Sequence, residues 1–282
     1  MLSFGFLVMA LLGLPSIIAN PGILAALNPL EAIRFAARSG TRVFGILGSV
    51  ILAITGAEVL YADLGHFGRS PIRRGWFSLV YPALILNYAG QGAYLLANPG
   101  QVDHLFFRLA PEWAMYPLVI LATAATIIAS QAVISGAFSL ARQSVQLGFL
   151  PRVQVRHTSS ETIGQVYVPM VNWLLFIGTL ALVLGFKSSD ALMNAYGIAV
   201  SATMLMTSCL MILLARKAAH VPIWIVAPVG ALFLALDGLL FASSATKVAS
   251  GGWIVIVVAA LLFALMKTWT DGRALFAKKI QA

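Results

Sequence analysis

The sequence predicts an all-α membrane protein with about eight transmembrane helices and no soluble domain. Sixty per cent of its 282 residues are apolar and only 10% are charged, a composition that soluble domains rarely have. A helix needs about 20 mostly apolar residues to cross a bilayer, and eight stretches of the chain come close to that length. Backbone polar groups in lipid must pair within their own segment, so such runs favour helices. Residues 1–282 are therefore interpreted as a single transmembrane domain.

Each predicted span is a mostly apolar run that ends at turn-forming or charged residues. The eight spans are approximately Leu2–Ala19, Val43–Ala62, Trp76–Ala97, Trp113–Phe138, Val168–Phe186, Ala191–Ala215, Pro222–Ala242 and Trp253–Trp269. Most loops between them are short. The longest polar stretch, residues 141–166, contains Gly148, Pro151 and Gly164, which favour turns over another span.

A short interfacial helix is predicted after the first span. Asn28 is a good N-cap residue, and Pro29 at the first helical position lacks the N–H that would have no partner there. The segment then runs from Leu30 to Ser39 and stops at Gly40, a favoured residue at helix ends.

The distribution of basic residues predicts the orientation in the membrane. The net charge of +9 is scattered through loops and is not gathered into one stripe with interleaved aromatics, which argues against a nucleic-acid partner. With eight spans, six of the 18 Lys and Arg residues fall on one face and twelve on the other. The richer face is predicted to be cytoplasmic by the positive-inside rule. Both termini would then lie on the cytoplasmic side of the cell (inner) membrane.

Glu58 is the most informative residue, because it lies inside the apolar run of the second predicted span. A charged side chain at the centre of a spanning helix costs about 2.5–3.5 kcal/mol on insertion scales. Thr55 and Gly56 precede it, which places a hydroxyl, a weak point in the helix and an acid within four residues. This combination favours a cation site. The alternative is a structural acid that is neutralised by a local hydrogen bond to a neighbouring helix.

Four stretches carry a resemblance to a known family. They are ITGAEVLYADLGHFGRSPIRRGWFSLVYPALILNYAGQGAYLL (Ile54 to Leu96), ASQAVISGAFSLARQSVQLGFLPRVQVRHTS (Ala129 to Ser159), GQVYVPMVNWLL (Gly164 to Leu175) and NAYGIAVSATM (Asn194 to Met204). In these strings the chain resembles the KUP (KUP/HAK/KT) family of potassium uptake transporters. The likeness covers nearly the whole chain, to about Trp269.

The resemblance implies a LeuT-like (APC superfamily) fold, in which two five-helix repeats of opposite orientation are followed by two further helices. The eight spans would correspond to family helices 5 to 12. Family members begin with four earlier helices and usually end in a large cytoplasmic domain. The sequence is therefore expected to be truncated at the N-terminus and to lack the C-terminal domain.

The resemblance also implies proton-coupled potassium symport, with the potassium ion, the proton and the lipid bilayer as partners. No cofactor is implied, and no metal beyond the transported potassium. Thr55 and Glu58 would bind the cation, with Tyr196 contributing a hydroxyl. Glu58 would carry the coupling proton, with Asp63 as a second acid on the exit path. Burial favours the protonated acid while a nearby potassium ion favours the carboxylate, so the two occupancies would be coupled.

Alternative roles stay open for several of these residues. Asp63 is equally well interpreted as a helix-end charge that pairs with Arg69 or Arg73, and Tyr196 as an aromatic packed between helices. Asn87 and Gln91, four residues apart, are interpreted as an interhelical hydrogen-bonding pair or the lining of a polar path.

Two residues of the later spans are assigned to packing. Asp237 is interpreted as a packing or homo-oligomer contact. The lone Cys209 excludes a disulfide within the chain and is interpreted as a packing residue.

Other function classes have little support. The sequence has no HExxH, no GxGxxG after a strand and no P-loop, and its four histidines show no metal-ligand spacing. An enzyme is therefore not predicted. An intramembrane aspartyl protease that uses Asp63 and Asp237 is a remote alternative, since nothing indicates that they face each other. A non-functional or regulatory truncated transporter is the closer alternative.

Overall fold

The computed structural model describes residues 2–53, 55–56, 69–157 and 166–281, and most of them are helical. This confirms the prediction of a helical membrane protein. In the described part of the chain, five helical stretches are long and apolar enough to cross a membrane: Glu112–Gln146, Pro169–Phe186, Ser189–Lys217, Ile223–Ala245 and Val248–Ala277. A sixth span results if the first helix and the 3₁₀ segment after it, bent by 109°, count as one.

The amino-terminal elements begin and end close to where the sequence predicts. Helix α1 covers Leu2–Ala19 and is followed by a 3₁₀ segment, Pro21–Leu27, and by helix α2, Pro29–Ser39. The Asn28 side chain caps α2, because its Oδ1 accepts a hydrogen bond from the Leu30 amide at 3.1 Å. Gly40 follows with φ +54°, a left-handed conformation that glycine adopts without strain.

The next elements cover the second and third predicted spans. They are helix α3 (Arg42–Val50), a 3₁₀ turn (Ile51–Ala53), helix α4 (Arg69–Gly75), a π-turn (Trp76–Val80) and helix α5 (Tyr81–Ala97). The third predicted span is helical throughout. The second predicted span lies partly outside the described residues.

The central elements surround the longest helix. They are helix α6 (Leu105–Arg108), a 3₁₀ turn (Glu112–Ala114), helix α7 (Met115–Gln146) and two strands, β1 (Arg156–His157) and β2 (Val166–Tyr167). The strands pair antiparallel, with Arg156 opposite Tyr167. The sequence predicts turns here and not this two-residue ribbon, because so short a pair leaves no alternating pattern.

The carboxy-terminal elements match the last four predicted spans. They are helix α8 (Pro169–Phe186), helix α9 (Ser189–Lys217), helix α10 (Ile223–Ala245), a π-turn (Val248–Gly252) and helix α11 (Trp253–Gln281). The π-turn contains Gly251 at φ +130°. A side chain at Gly251 would meet the backbone of Ala191 in α9, so the close approach requires glycine.

Contacts divide the chain into two compact units. The first comprises Met1–Arg38 and Ala57–Gly136, and the second comprises Ser39–Gly56 and Ala137–Ala282. The interpretation of residues 1–282 as a single transmembrane domain stays a prediction.

The first unit is built on the pair α1 and α5. Gly13 and Gly90 let the two backbones approach, because a Cβ on Gly90 would collide with the Gly13 backbone. Asn87 is buried beside them and donates from Nδ2 to the Met9 carbonyl at 3.1 Å, while Gln91 Nε2 donates to Asn87 Oδ1 at 2.7 Å. The interhelical interpretation is thus confirmed for Asn87, whereas Gln91 bonds to Asn87 within α5.

In the second unit, α10 packs against α9 and α3, and the π-turn packs against α9. Large apolar side chains such as Leu210, Leu261 and Phe263 point outward and are about two-thirds exposed (65%, 66% and 68%). In a bilayer these surfaces face acyl chains, which are as apolar as leucine. Cys209 is also exposed, so its interpretation as a packing residue is wrong.

Candidate cation-binding site

The predicted helix break begins where helix α3 and its 3₁₀ turn end. Helix α3 tightens into the 3₁₀ turn and ends at Ala53, and Thr55 and Gly56 have no helical assignment. Gly56 lies at φ +114°, a backbone conformation that L side chains rarely adopt. A helix that stops inside an apolar run leaves its last carbonyls without intrahelical donors. Such carbonyls can replace part of the water shell of a cation.

Thr55 supplies a hydroxyl at this break. Its Oγ1 donates to the Leu52 carbonyl at 3.0 Å and is partly buried. A hydroxyl that donates in one direction keeps acceptor lone pairs. Thr55 thus has the chemistry for a cation ligand, with its orientation fixed by the turn that precedes it.

Helix α9 forms a wall next to the end of α3. Gly197 lies against the 3₁₀ turn that follows α3, since a Cβ there would be 3.6 Å from Ile51 Cγ2 and 3.9 Å from Leu52 Cδ2. Ser201, one turn further along α9, is fully buried, and its hydroxyl donates back to the Gly197 carbonyl at 2.7 Å. Even a methyl group at position 197 would touch the 3₁₀ turn at ordinary van der Waals distance, so α9 lies directly beside it.

Tyr196 precedes Gly197 on α9 and is 42% exposed. The structure therefore brings the helix that carries Tyr196 against the helix that ends before Thr55. Glu58 and Asp63 lie outside the described residues. The assignment of Thr55, Glu58, Tyr196 and Asp63 to a cation and proton site remains a prediction.

Sequence reasoning missed the residues that hold α3 in place. From α10, Ser243 donates its hydroxyl to the Phe44 carbonyl, and Lys247, just beyond the helix, donates from Nζ to Ser49 Oγ at 3.0 Å. Gly48 lets the helices approach, because a Cβ there would lie 2.9 Å from Ser243 Oγ. The only signal in the sequence is the small pair Gly48 and Ser49, which does not identify a partner nearly 200 residues away. These contacts matter because α3 leads directly into the break.

Asp237 belongs to a separate contact between α9 and α10. Its side chain is buried, at 6% exposure, and its Oδ2 accepts a hydrogen bond from Ser208 Oγ at 2.5 Å. This geometry agrees with the interpretation of Asp237 as a packing residue. The remote protease alternative gains nothing, since Asp63 lies outside the described residues.

The sequence of this chain matches a known protein family. The family described as "K+ potassium transporter integral membrane domain" matches residues 1–274. No solved structure matches the chain.

Curated relatives agree with that match. "Probable potassium transport system protein Kup 2" of Chromobacterium violaceum is 50% identical over 276 residues, which are 98% of this chain and 44% of the relative. "Probable potassium transport system protein Kup" of Aeromonas salmonicida is 52% identical over 268 residues (95% and 44%). "Low affinity potassium transport system protein Kup" of Sodalis glossinidius is 51% identical over 275 residues (98% and 44%). The chain thus spans less than half the length of these relatives, and it belongs to the KUP family of potassium transporters.

Proposed function

We propose that this chain takes part in potassium uptake across the cell (inner) membrane, with the potassium ion and a proton moving together. The observation that carries the proposal is that helix α3 and its 3₁₀ turn end at Ala53, just before Thr55 and Gly56. This end lies inside the predicted apolar span Val43–Ala62, which also contains Glu58. A helix that opens within an apolar segment and supplies a hydroxyl and carbonyls is suited to a partly dehydrated cation. Family membership supports potassium as that cation.

Proton coupling increases the free energy that the membrane potential supplies for potassium uptake. One positive charge that moves inward gains about 2.3 kcal/mol per 100 mV of membrane potential. A potassium ion and a proton together gain roughly 4.6 kcal/mol, which corresponds to more than three decades of accumulation. Coupling would therefore allow uptake from dilute medium. Within this scheme Glu58 carries the proton, Asp63 is the second acid, and Thr55 and Tyr196 contribute oxygen ligands.

The proposed architecture is the LeuT-like 5+5 inverted repeat, with eight spans that correspond to family helices 5 to 12. Alternating access in such folds rocks one group of helices against another around a central site. The contacts of Ser243 and Lys247 with α3 support a role for α10 in holding the helix that ends at the break. A homo-oligomer is a candidate assembly of this membrane domain.

Transport by these residues can be tested in a chimera. Residues 1–282 replace the matching segment of the Aeromonas salmonicida relative, to which they are 52% identical over 268 residues. Expressed in a strain that lacks potassium uptake systems, the chimera is expected to restore growth at low potassium and rubidium uptake, as the intact relative does. Residues 1–282 alone are expected not to do so, because alternating access needs both repeats.

The outcomes separate the proposal from the alternative of a non-functional or regulatory protein. That alternative is considered because the chain covers only 44% of the relative. A chimera that reaches the membrane but transports nothing, while the intact relative transports, would contradict the proposal. Uptake by residues 1–282 alone would support transport but contradict the requirement for both repeats.

The orientation gives a second prediction. Single cysteines at Ser70 and Ser39, in a Cys209→Ser background, are expected to behave oppositely towards an impermeant thiol reagent added to intact cells. The cysteine at Ser39 is expected to react, because the predicted topology places it outside. The cysteine at Ser70 is expected to react only after permeabilisation, because it lies in the loop with Arg69, Arg73 and Arg74. Labelling at Ser70 in intact cells would overturn the topology with cytoplasmic termini.

A further inference from the structure

A cavity of about 1120 Å³ lies in the second unit, and none of its lining residues belongs to α3 or to the Thr55–Gly56 segment. One wall is the turn that follows α7, with Leu147, Gly148, Phe149 and Pro151. The other wall is the stretch of α11 from Ala264 to Ala277. Most of the lining is apolar or aromatic.

Arg273 brings a positive charge to this cavity. Its Nη1 donates to the Gly148 carbonyl at 3.1 Å. Gly148 lies at φ +81°, and a Cβ there would collide with the guanidinium, so the contact depends on glycine. Across the described ranges, no carboxylate lies within ion-pair distance of Arg273, and the neighbouring Asp271 pairs with Lys267 instead. Among the described residues Arg273 has no hydrogen-bond acceptor other than Gly148, so its remaining N–H donors can serve an anion.

The sequence of α11 indicates where the cavity lies relative to the two regions of the membrane. The helix carries no charged residue from Trp253 to Met266 and then becomes charged, beginning with Lys267. Trp269 follows, a residue that favours the level of lipid headgroups. Leu265 and Arg273 are eight residues apart, about 12 Å along a helix. The cavity therefore extends from the acyl-chain region to the headgroup region of the membrane.

We propose that this cavity binds one anionic phospholipid. The phosphate accepts hydrogen bonds from Arg273, and an acyl chain lies along Leu265, Trp269 and Phe149. Charge complementarity selects the anionic headgroup, since the guanidinium is held by a neutral carbonyl and forms no ion pair with any described residue. The apolar lining selects a molecule with a hydrocarbon tail, which a free phosphate does not have. The predicted orientation places this end of α11 in the cytoplasmic leaflet, where anionic lipids attract basic side chains.

The test measures lipid binding and does not depend on transport. The 282-residue chain is purified in detergent, titrated with phosphatidylglycerol or with phosphatidylcholine of the same acyl chains, and examined by native mass spectrometry. The unsubstituted chain is expected to retain phosphatidylglycerol preferentially. Arg273→Gln is expected to weaken that binding about fivefold, because one basic residue near the membrane surface contributes about 1 kcal/mol. The matched control Lys279→Gln removes an equal charge from the same helix outside the cavity and is expected to leave binding unchanged.

Two further variants separate loss of the site from loss of the fold. Arg273→Lys keeps the charge and is expected to keep the lipid preference. Gly148→Ala keeps Arg273 but displaces its guanidinium, and is expected to weaken phosphatidylglycerol binding while the circular dichroism spectrum stays helical.

Three results would overturn the proposal. They are equal binding of the two lipids, equal phosphatidylglycerol retention by Arg273→Gln and Lys279→Gln, and competition by glycerol phosphate as strong as by the lipid. The last result would identify a soluble phosphate site and not a lipid site.

Discussion

Glu58→Gln is expected to abolish potassium-driven proton uptake in the chimera that carries residues 1–282. Glutamine keeps the shape and the oxygen of the side chain but removes both the exchangeable proton and the negative charge. A hydrogen bond to a charged group contributes about 1.5–3 kcal/mol. If loss of the carboxylate weakens potassium binding by a similar free energy, potassium uptake at limiting concentration should fall roughly tenfold to a hundredfold. The measurement is acidification of the vesicle lumen, with a pH-sensitive dye, after potassium is added outside.

The matched control is Glu112→Gln, which removes the same charge from an exposed residue before α7. It is expected to transport normally. Thr55→Ser keeps a hydroxyl and should retain uptake, while Thr55→Val should weaken potassium binding without uncoupling the proton. If Glu58→Gln transports potassium with unchanged proton movement, Glu58 is a structural acid and another group carries the proton.

Gly90→Ala is expected to destabilise the first unit strongly although it adds only one methyl group. The added Cβ would collide with the Gly13 backbone, so α1 and α5 would have to separate. Overpacking of a close contact costs about 1–3 kcal/mol, and separation would also weaken the hydrogen bond from Asn87 to the Met9 carbonyl. The temperature at which half of the detergent-solubilised chain aggregates, measured by size-exclusion chromatography after heating, should fall by several degrees.

Gly178→Ala is the control for this prediction. Gly178 also lies within an apolar helix, α8, but a Cβ there would have no atom within 4 Å. Alanine is the better helix former by about 1 kcal/mol, so this change should leave the same aggregation temperature unchanged or raise it. Equal effects of the two substitutions would show that helix propensity, and not the contact with Gly13, controls the result.

The Asn87 pair shows how far local sequence reasoning extends. Asn87 and Gln91 share a helix face, which sequence spacing reveals directly, and their polarity inside an apolar run predicts an interhelical bond. The acceptor, the Met9 carbonyl, was not predictable. Every backbone carbonyl in a helix looks alike in the sequence. Only the packing of α1 against α5 shows which carbonyl accepts the bond.

The sequence by itself determined where helices form, because apolar runs in lipid must satisfy their own backbone and because Asn28, Pro29 and Gly40 mark helix ends through local chemistry. It also predicted a weak point at Thr55 and Gly56, and α3 with its 3₁₀ turn ends just before them, at Ala53. Only the tertiary structure decided that Ser243 and Lys247 hold α3, that Gly13 meets Gly90, and that Arg273 reaches Gly148. The physical reason is the solvent: lipid-facing and protein-facing sides of these helices are both apolar. Hydrophobic periodicity therefore does not reveal which side packs, and small residues and lone polar groups acquire partners only when the helices come together.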